Sequence, residues 1–292
     1  MFYPIYIVNK NVDWDCLSSN PNAIPLLEQN MNKVEWLTLS INPNAIHILE
    51  QNLNKVDWFW LPKNPNAIHL LKKFCGNWSF LSENPNAIHL LEKHTNRINW
   101  LNLSINPNAI HMLEKNLDKV NWEYLSANPN AIHILEKNLD KVNWDYLSSN
   151  PNAIHILEQH LDKVNWQRLS GNPKAIHILE KNLDKVKWYW LSYNPNAVSI
   201  LEKNLDKVTW QRLSANPNAI HILEKDMDKV NWEGLSSNPN AIPLLARLNT
   251  EKMRENCKAF AEELAAYVFH PLRLIRICET YGLELDEYFE LV

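Results

Sequence analysis

Histidine is the side chain best suited to proton chemistry near neutral pH, and in this chain it recurs on a beat. Eight of the eleven histidines, His47, His69, His89, His111, His133, His155, His177 and His221, hold one position of a repeated stretch, most of them with glutamate three residues on. An imidazole can act as acid or base, ligate a metal or respond to pH. Zinc sites bring three or four ligands to one point, whereas a ladder offers one ligand per layer, so no metal is expected. No GxGxxG, P-loop, GxSxG or HExxH segment is present, and nothing groups an acid, a base and a nucleophile. The reading is therefore a protein without catalysis and without a cofactor. Each histidine then either hydrogen-bonds or packs against the next unit, or belongs to a repetitive binding face. Protonating eight aligned imidazoles would gather charge along one line, so lower stability or altered binding is expected in mildly acidic solution.

A second set of candidates varies where the histidines repeat. Tryptophan falls at 14, 36, 58, 78, 100, 122, 144, 166, 188, 210 and 232, at intervals of 22 residues except for one of 20. The two residues between each tryptophan and the next leucine differ in almost every unit, as "FW", "EY", "DY", "QR" and "YW". Phe59, Trp60, Tyr124, Tyr146, Arg168, Tyr189, Trp190 and Arg212 stand there, and Tyr193 precedes an Asn-Pro pair. Tyrosine, tryptophan and arginine are the types interfaces favour. They are the candidate partner-binding stripe, with anchors around Trp60 and around Tyr189, Trp190 and Tyr193.

The elements that carry both sets follow from the beat. The residue before tryptophan is Asn, Asp or Thr except at Glu35 and Lys187, and these types cap helix N-termini. A short helix such as "WDYLSS" follows. Asn-Pro then closes one element and opens another: Asn150 reads as a cap and Pro151 as the first residue of a longer helix, "PNAIHILEQHL". On that helix Ala45, Ile46, Ile48, Leu49 and Leu53 share an apolar arc of about 160°, with His47 nearly opposite. A unit of 22 residues cannot bury such faces alone, but stacked units can. The expected fold is all-α, a right-handed α-solenoid of eleven two-helix 22-residue repeats over 9–249. Residues 1–8 make an N-terminal cap and 250–292 a helical C-terminal cap, in two helices that meet at His270-Pro271 and end near Gly282. At roughly 10 Å per layer the body would be an elongated rod of order 100 Å.

The unit "W-x-x-L-S-x-N-P-N-A-I-x-x-L" resembles the short tandem repeats of proteins from nucleocytoplasmic large DNA viruses. The ending "FAEELAAYVFHPLRLIRICETYGLELDEYF" is similar to a tail that follows such repeats. The resemblance implies a viral origin and a helical repeat fold, and it transfers no catalytic residue.

Composition narrows the partners. A net charge of −4 supplies no basic surface for nucleic acid. No apolar run approaches the roughly 18–20 residues that span a bilayer, and "MFYPIYIVNK" has no basic leader. Cys16, Cys75, Cys257 and Cys278 are too scattered for zinc or a disulfide framework, which fits a reducing intracellular compartment. The expected function is a non-catalytic scaffold for protein–protein interaction, a viral adaptor or virion-associated protein. Its rivals are a modular RNA-binding repeat protein and a structural rod that self-assembles.

Overall fold

The computed structural model describes residues 5–73 and 77–255 and, beyond these, residues 258, 262, 265, 270, 273 and 274. It falls into two compact units, Val8–Leu245 and a smaller one of Met1–Ile7 with Ala246–Val292. The larger is an all-α repeat array with the expected two helices per unit. We call the helix that starts at each periodic tryptophan the Trp-helix and the one after it the His-helix; in the unit of Trp144 they are Trp144–Ser149 and Ile154–Gln159.

Capping explains where the Trp-helices begin. Asn143 Oδ1 accepts from the Tyr146 amide at 3.2 Å and Asp13 Oδ1 from the Cys16 amide at 2.9 Å, meeting donors that the first turn leaves without partners. Thr209, expected to do the same, makes no such bond. The His-helices begin later than expected. Pro151, Asn152 and Ala153 form a turn, closed by the Ala153 amide on the Asn150 carbonyl at 3.2 Å, and the helix starts only at Ile154. Its end also comes early. Leu53 lies beyond Ile46–Gln51 and is exposed, so it leaves the apolar arc that Ala45, Ile48 and Leu49 bury. The unit of Trp58 is tighter, with 3-10 turns at Leu61–Lys63 and Leu70–Lys73 in place of α-helices. Pro62 replaces the usual serine there, and without an amide it cannot donate the i→i−4 bond.

The conserved letters of the unit are explained by what they do between units. In the central repeats each buried serine donates to the carbonyl of its own tryptophan, as Ser148 Oγ to Trp144 at 2.7 Å, and accepts the amide opening the next Trp-helix, as from Asn165 at 3.0 Å. Each buried asparagine of Asn-Pro makes three bonds. Asn150 Oδ1 accepts the Asn152 amide at 3.0 Å, and Nδ2 donates to the Ser126 carbonyl at 3.0 Å and the Asn128 carbonyl at 2.9 Å of the preceding unit. A buried amide so placed is fully satisfied.

These bonds do not stop at the ends. Asn20 Nδ2 donates to the Ser236 and Asn238 carbonyls at 3.0 and 2.9 Å, and the Asp13 amide donates to Ser236 Oγ at 3.0 Å. Asn22 Nδ2 reaches the Pro239 carbonyl at 2.9 Å. Helix Trp14–Ser19 packs on Trp232–Ser237 as it does on Trp36–Ile41. The eleventh unit therefore stands to the first as every unit stands to its successor, and the array is a closed ring. The expected rod is corrected: a small constant rotation between identical interfaces closes after enough units, and here it does so at eleven. The last layer thus covers the face of the first layer that an open array would leave without a neighbouring unit.

In a closed ring all units subtend the same angle, so the helices that lie closest to their equivalents lie at the smaller radius. Consecutive Trp-helices pack closely except at Trp188 and Trp210, whereas no two consecutive His-helices do so to a comparable degree. The loosest Trp-helix pair is at Trp188 and Trp210, where the first helix shortens to Trp188–Leu191, yet its serine and asparagine bonds persist. The Trp-helices are thus the inner wall and the His-helices the outer. With packed helices about 9 Å apart and about 10 Å wide including their side chains, eleven units leave a lumen roughly 20 Å across.

Tyr6–Val8 (β1) pairs with Ala246–Leu248 (β2), and the Asn249 amide donates to the Ile5 carbonyl at 2.7 Å. Asn249 Oδ1 accepts from the Lys252 amide at 3.0 Å, capping helical residues 250–255. The two-helix C-terminal cap, with Gly282, falls largely outside the described residues, as do Cys75, Cys257 and Cys278.

Candidate functional site: the variable inner row

On each Trp-helix the tryptophan and the leucine and serine three and four residues later share a face, at about 100° per residue. That leucine is buried in every unit, and so is the serine wherever the unit has one. The positions one, two and five residues after the tryptophan lie opposite. Since the core lies outward of the Trp-helices, these positions face the ring's interior. The candidate stripe therefore becomes a belt around the lumen. Phe59, Tyr189, Trp190 and Tyr193 are exposed, and Trp60, Tyr124, Tyr146, Arg168 and Arg212 are half-buried.

Neighbours in the belt touch. Trp60 stacks on Phe80 with ring centres 4.8 Å apart, and Phe59 meets Phe80 edge-on at 5.5 Å. Tyr124 and Tyr146 are 5.7 Å apart, and the Arg168 guanidinium lies 4.4 Å over Tyr146. Arg212 lies 4.5 Å over Tyr189 and 5.7 Å from Trp190. The two expected anchors are thus joined to further members, Phe80 and Lys63 at one and Arg212 at the other. Phe80 and Lys63 were legible as variable positions but not as neighbours of Trp60. The anchors are six units apart in a ring of eleven, which puts them on nearly opposite sides of the lumen.

The histidines lie on the outer wall. His47, His69, His111, His133, His155, His177 and His221 each place Nε2 2.6–2.8 Å from the glutamate Oε1 of the preceding unit, with both side chains about half exposed. His89 is exposed and follows a unit whose equivalent position is Lys72. Each of the seven paired imidazoles therefore faces a carboxylate of the neighbouring unit. Among the described residues no group of three or more His, Cys, Asp or Glu could hold a metal ion.

The periodic tryptophans have a structural partner that spacing alone did not suggest. The lysine of each "DKV" or "NKV" turn sits over the tryptophan of its own unit, as Lys163 over Trp144 at 4.8 Å and Lys141 over Trp122 at 5.0 Å. The cation–π contact ties the end of a unit to its start.

Among the described residues no helix is long and apolar enough to cross a membrane. No family model, curated protein or solved structure matches the chain.

Proposed function

We propose that the ring is a non-catalytic scaffold that recognises a segment of another protein through its variable inner row. The observation that carries this reading is the division of labour within the unit. Buried serine, asparagine and leucine maintain the ring, while the positions free to vary converge on one enclosed surface rich in Trp, Tyr, Phe and Arg. Aromatic and arginine side chains concentrate binding energy when a partner desolvates them, and a lumen desolvates from all sides. The likeness of the repeat and tail to proteins of large DNA viruses makes a viral adaptor or virion component the setting we favour.

The inner row argues against threading a nucleic acid strand. Asp15, Glu83, Glu123, Asp145 and Glu233 outnumber Lys63, Arg168 and Arg212 at its three positions per unit, and a channel for a polyanion needs the opposite balance. The self-assembling rod loses its premise with ring closure.

A photo-crosslinking residue at position 60 or 190, compared with one at position 133 on the outer wall, tests the reading in expressing cells. The expected result is a discrete protein adduct from the inner positions and none from the outer one. Adducts dominated by RNA, or equal yields from both walls, would overturn it.

A further inference from the structure

The inner row lacks a side chain at one place. Two residues after the tryptophan, four units lay a side chain against the preceding unit's: Phe80 on Trp60, Tyr146 by Tyr124, Arg168 on Tyr146, Arg212 toward Trp190. The next member is Gly234, and the one after, across the seam, is Cys16. With no side chain at 234, nothing of the row covers Arg212. A cavity of about 330 Å³ opens there, lined by Tyr189, Gln211, Arg212, Glu233, Gly234 and Cys16 among others. It is assembled from both ends of the array and exists because the ring closes. A Cβ at 234 would stand 2.8 Å from the Gln211 carbonyl oxygen, so the backbone approach itself keeps this position free of a side chain.

The walls differ in charge. Arg212 places its guanidinium carbon 4.5 Å over the Tyr189 ring and makes no ion pair among the described residues. Glu233, exposed on the same cavity, is also without an ion pair among the described residues, so the two do not neutralise each other. Around Cys16 the field is acidic. Burial, then the Asp13 carboxylate with its hydrogen bond, then Glu233 and Asp15 push the Cys16 thiol up to about 12. That sulfur stays protonated, and the site is one for reversible binding.

We propose that the seam cavity binds a small aromatic amine, its ring laid over the Arg212 guanidinium in the place of the missing side chain and its ammonium held by Glu233. A planar ring on a guanidinium is the contact the row already repeats at Tyr146–Arg168 and Tyr189–Arg212, and it is attractive for either partner order. An ammonium beside a carboxylate in a half-enclosed site gains a charge-assisted hydrogen bond. The volume of about 330 Å³ lies at the lower end of small-ligand sites, which suits a ring with a short arm.

Titration calorimetry on the full chain tests this with three probes. Phenethylamine carries ring and cation, 3-phenylpropionate carries the ring with an anion, and 2-cyclohexylethylamine keeps the cation without a π face. Saturable one-to-one binding of phenethylamine is expected, with each comparison compound weaker by about fivefold or more. Glu233→Gln, an exposed substitution, should weaken phenethylamine about tenfold at unchanged melting temperature, and Arg212→Met should erase the preference for the planar ring. Equal or tighter binding of 3-phenylpropionate would make the cavity an anion site and sink the proposal. So would unchanged affinity in folded Glu233→Gln, or no saturable binding at all. Crosslinking from positions 60 and 190 is independent of these outcomes, so the protein-recognition reading stands or falls separately.

Discussion

Two belts of hydrogen bonds between neighbouring units run around the ring, and they differ in where the bonds sit. The asparagine belt is buried, and all eleven units contribute without exception, from Asn20 to Asn238. The histidine belt is on the outer wall, about half exposed, with seven links made among the described residues and other residues in its place at Pro25, Ser199 and Pro243. Both repeat around the array, but only the buried belt does so in every unit. Burial separates them: a buried amide left without partners costs about 1–3 kcal/mol for each orphaned group, whereas exposed ion pairs contribute roughly 0–1 kcal/mol. Repetition therefore reports common descent of the units, and only exposure tells which repeated residue holds the ring.

The largest effect expected is at the buried belt. Asn128→Ala removes two donors and leaves the Ser104 and Asn106 carbonyls, bonded at 3.0 Å, without them; a loss of about 2–4 kcal/mol in urea denaturation is expected. Asn20→Ala sharpens the comparison. In a ring it sits at an interface like any other, with carbonyls of Ser236 and Asn238 as partners, and should cost as much as Asn128→Ala. In an open array Asn20 would face no preceding unit and its removal would be nearly silent, so a small effect would break the closed-ring geometry. Next in size is Ser148→Ala, which strips the Asn165 amide of its acceptor and should cost about 1–2 kcal/mol.

The repeat, its two helices and the caps before tryptophan were legible because each is a local matter of spacing and side-chain type. Closure was not. It depends on the rotation between neighbouring units, which must be about a full turn divided among eleven, and no single residue encodes that angle. The asparagine of Asn-Pro was visible as an invariant letter and readable as a cap, but its Nδ2 donors act on the preceding unit, where one unit's sequence shows nothing. The variable positions were identifiable by their variability alone. Their facing, and the pairing of Trp60 with Phe80 or Tyr189 with Arg212, needed the relative placement of units. Gly234 carried a signal that comparison of units could have raised, as the one glycine two residues after a periodic tryptophan.

A second, exposed asparagine ladder offers an intermediate case between the two belts. Asn130 and Asn152 donate to the prolyl carbonyls of the preceding units at 2.9 and 2.8 Å while remaining exposed themselves. One unit departs: Lys174 replaces the asparagine and extends Nζ to Asn152 Oδ1 at 2.7 Å. Lys174→Asn should restore the rung to the Pro151 carbonyl and raise stability by about 0.5–1 kcal/mol. A gain well above that would mean exposure discounts these bonds less than the comparison assumes.

The smallest effect is expected where the sequence looked most chemical. His133 meets Glu114 at 2.6 Å, with both side chains about half exposed, so solvent and salt screen the pair. His133→Ala should change stability by no more than about 0.5 kcal/mol, with the residual dependence on ionic strength lost. Replacing Glu114 by Gln as well gives the double-mutant cycle that isolates the pair. A coupling near zero would leave the outer belt as a relic of duplication. A coupling approaching the cost of Asn128→Ala would instead show the belt acting collectively around a closed circuit, where each link shares its glutamate's helix with the histidine of the same unit.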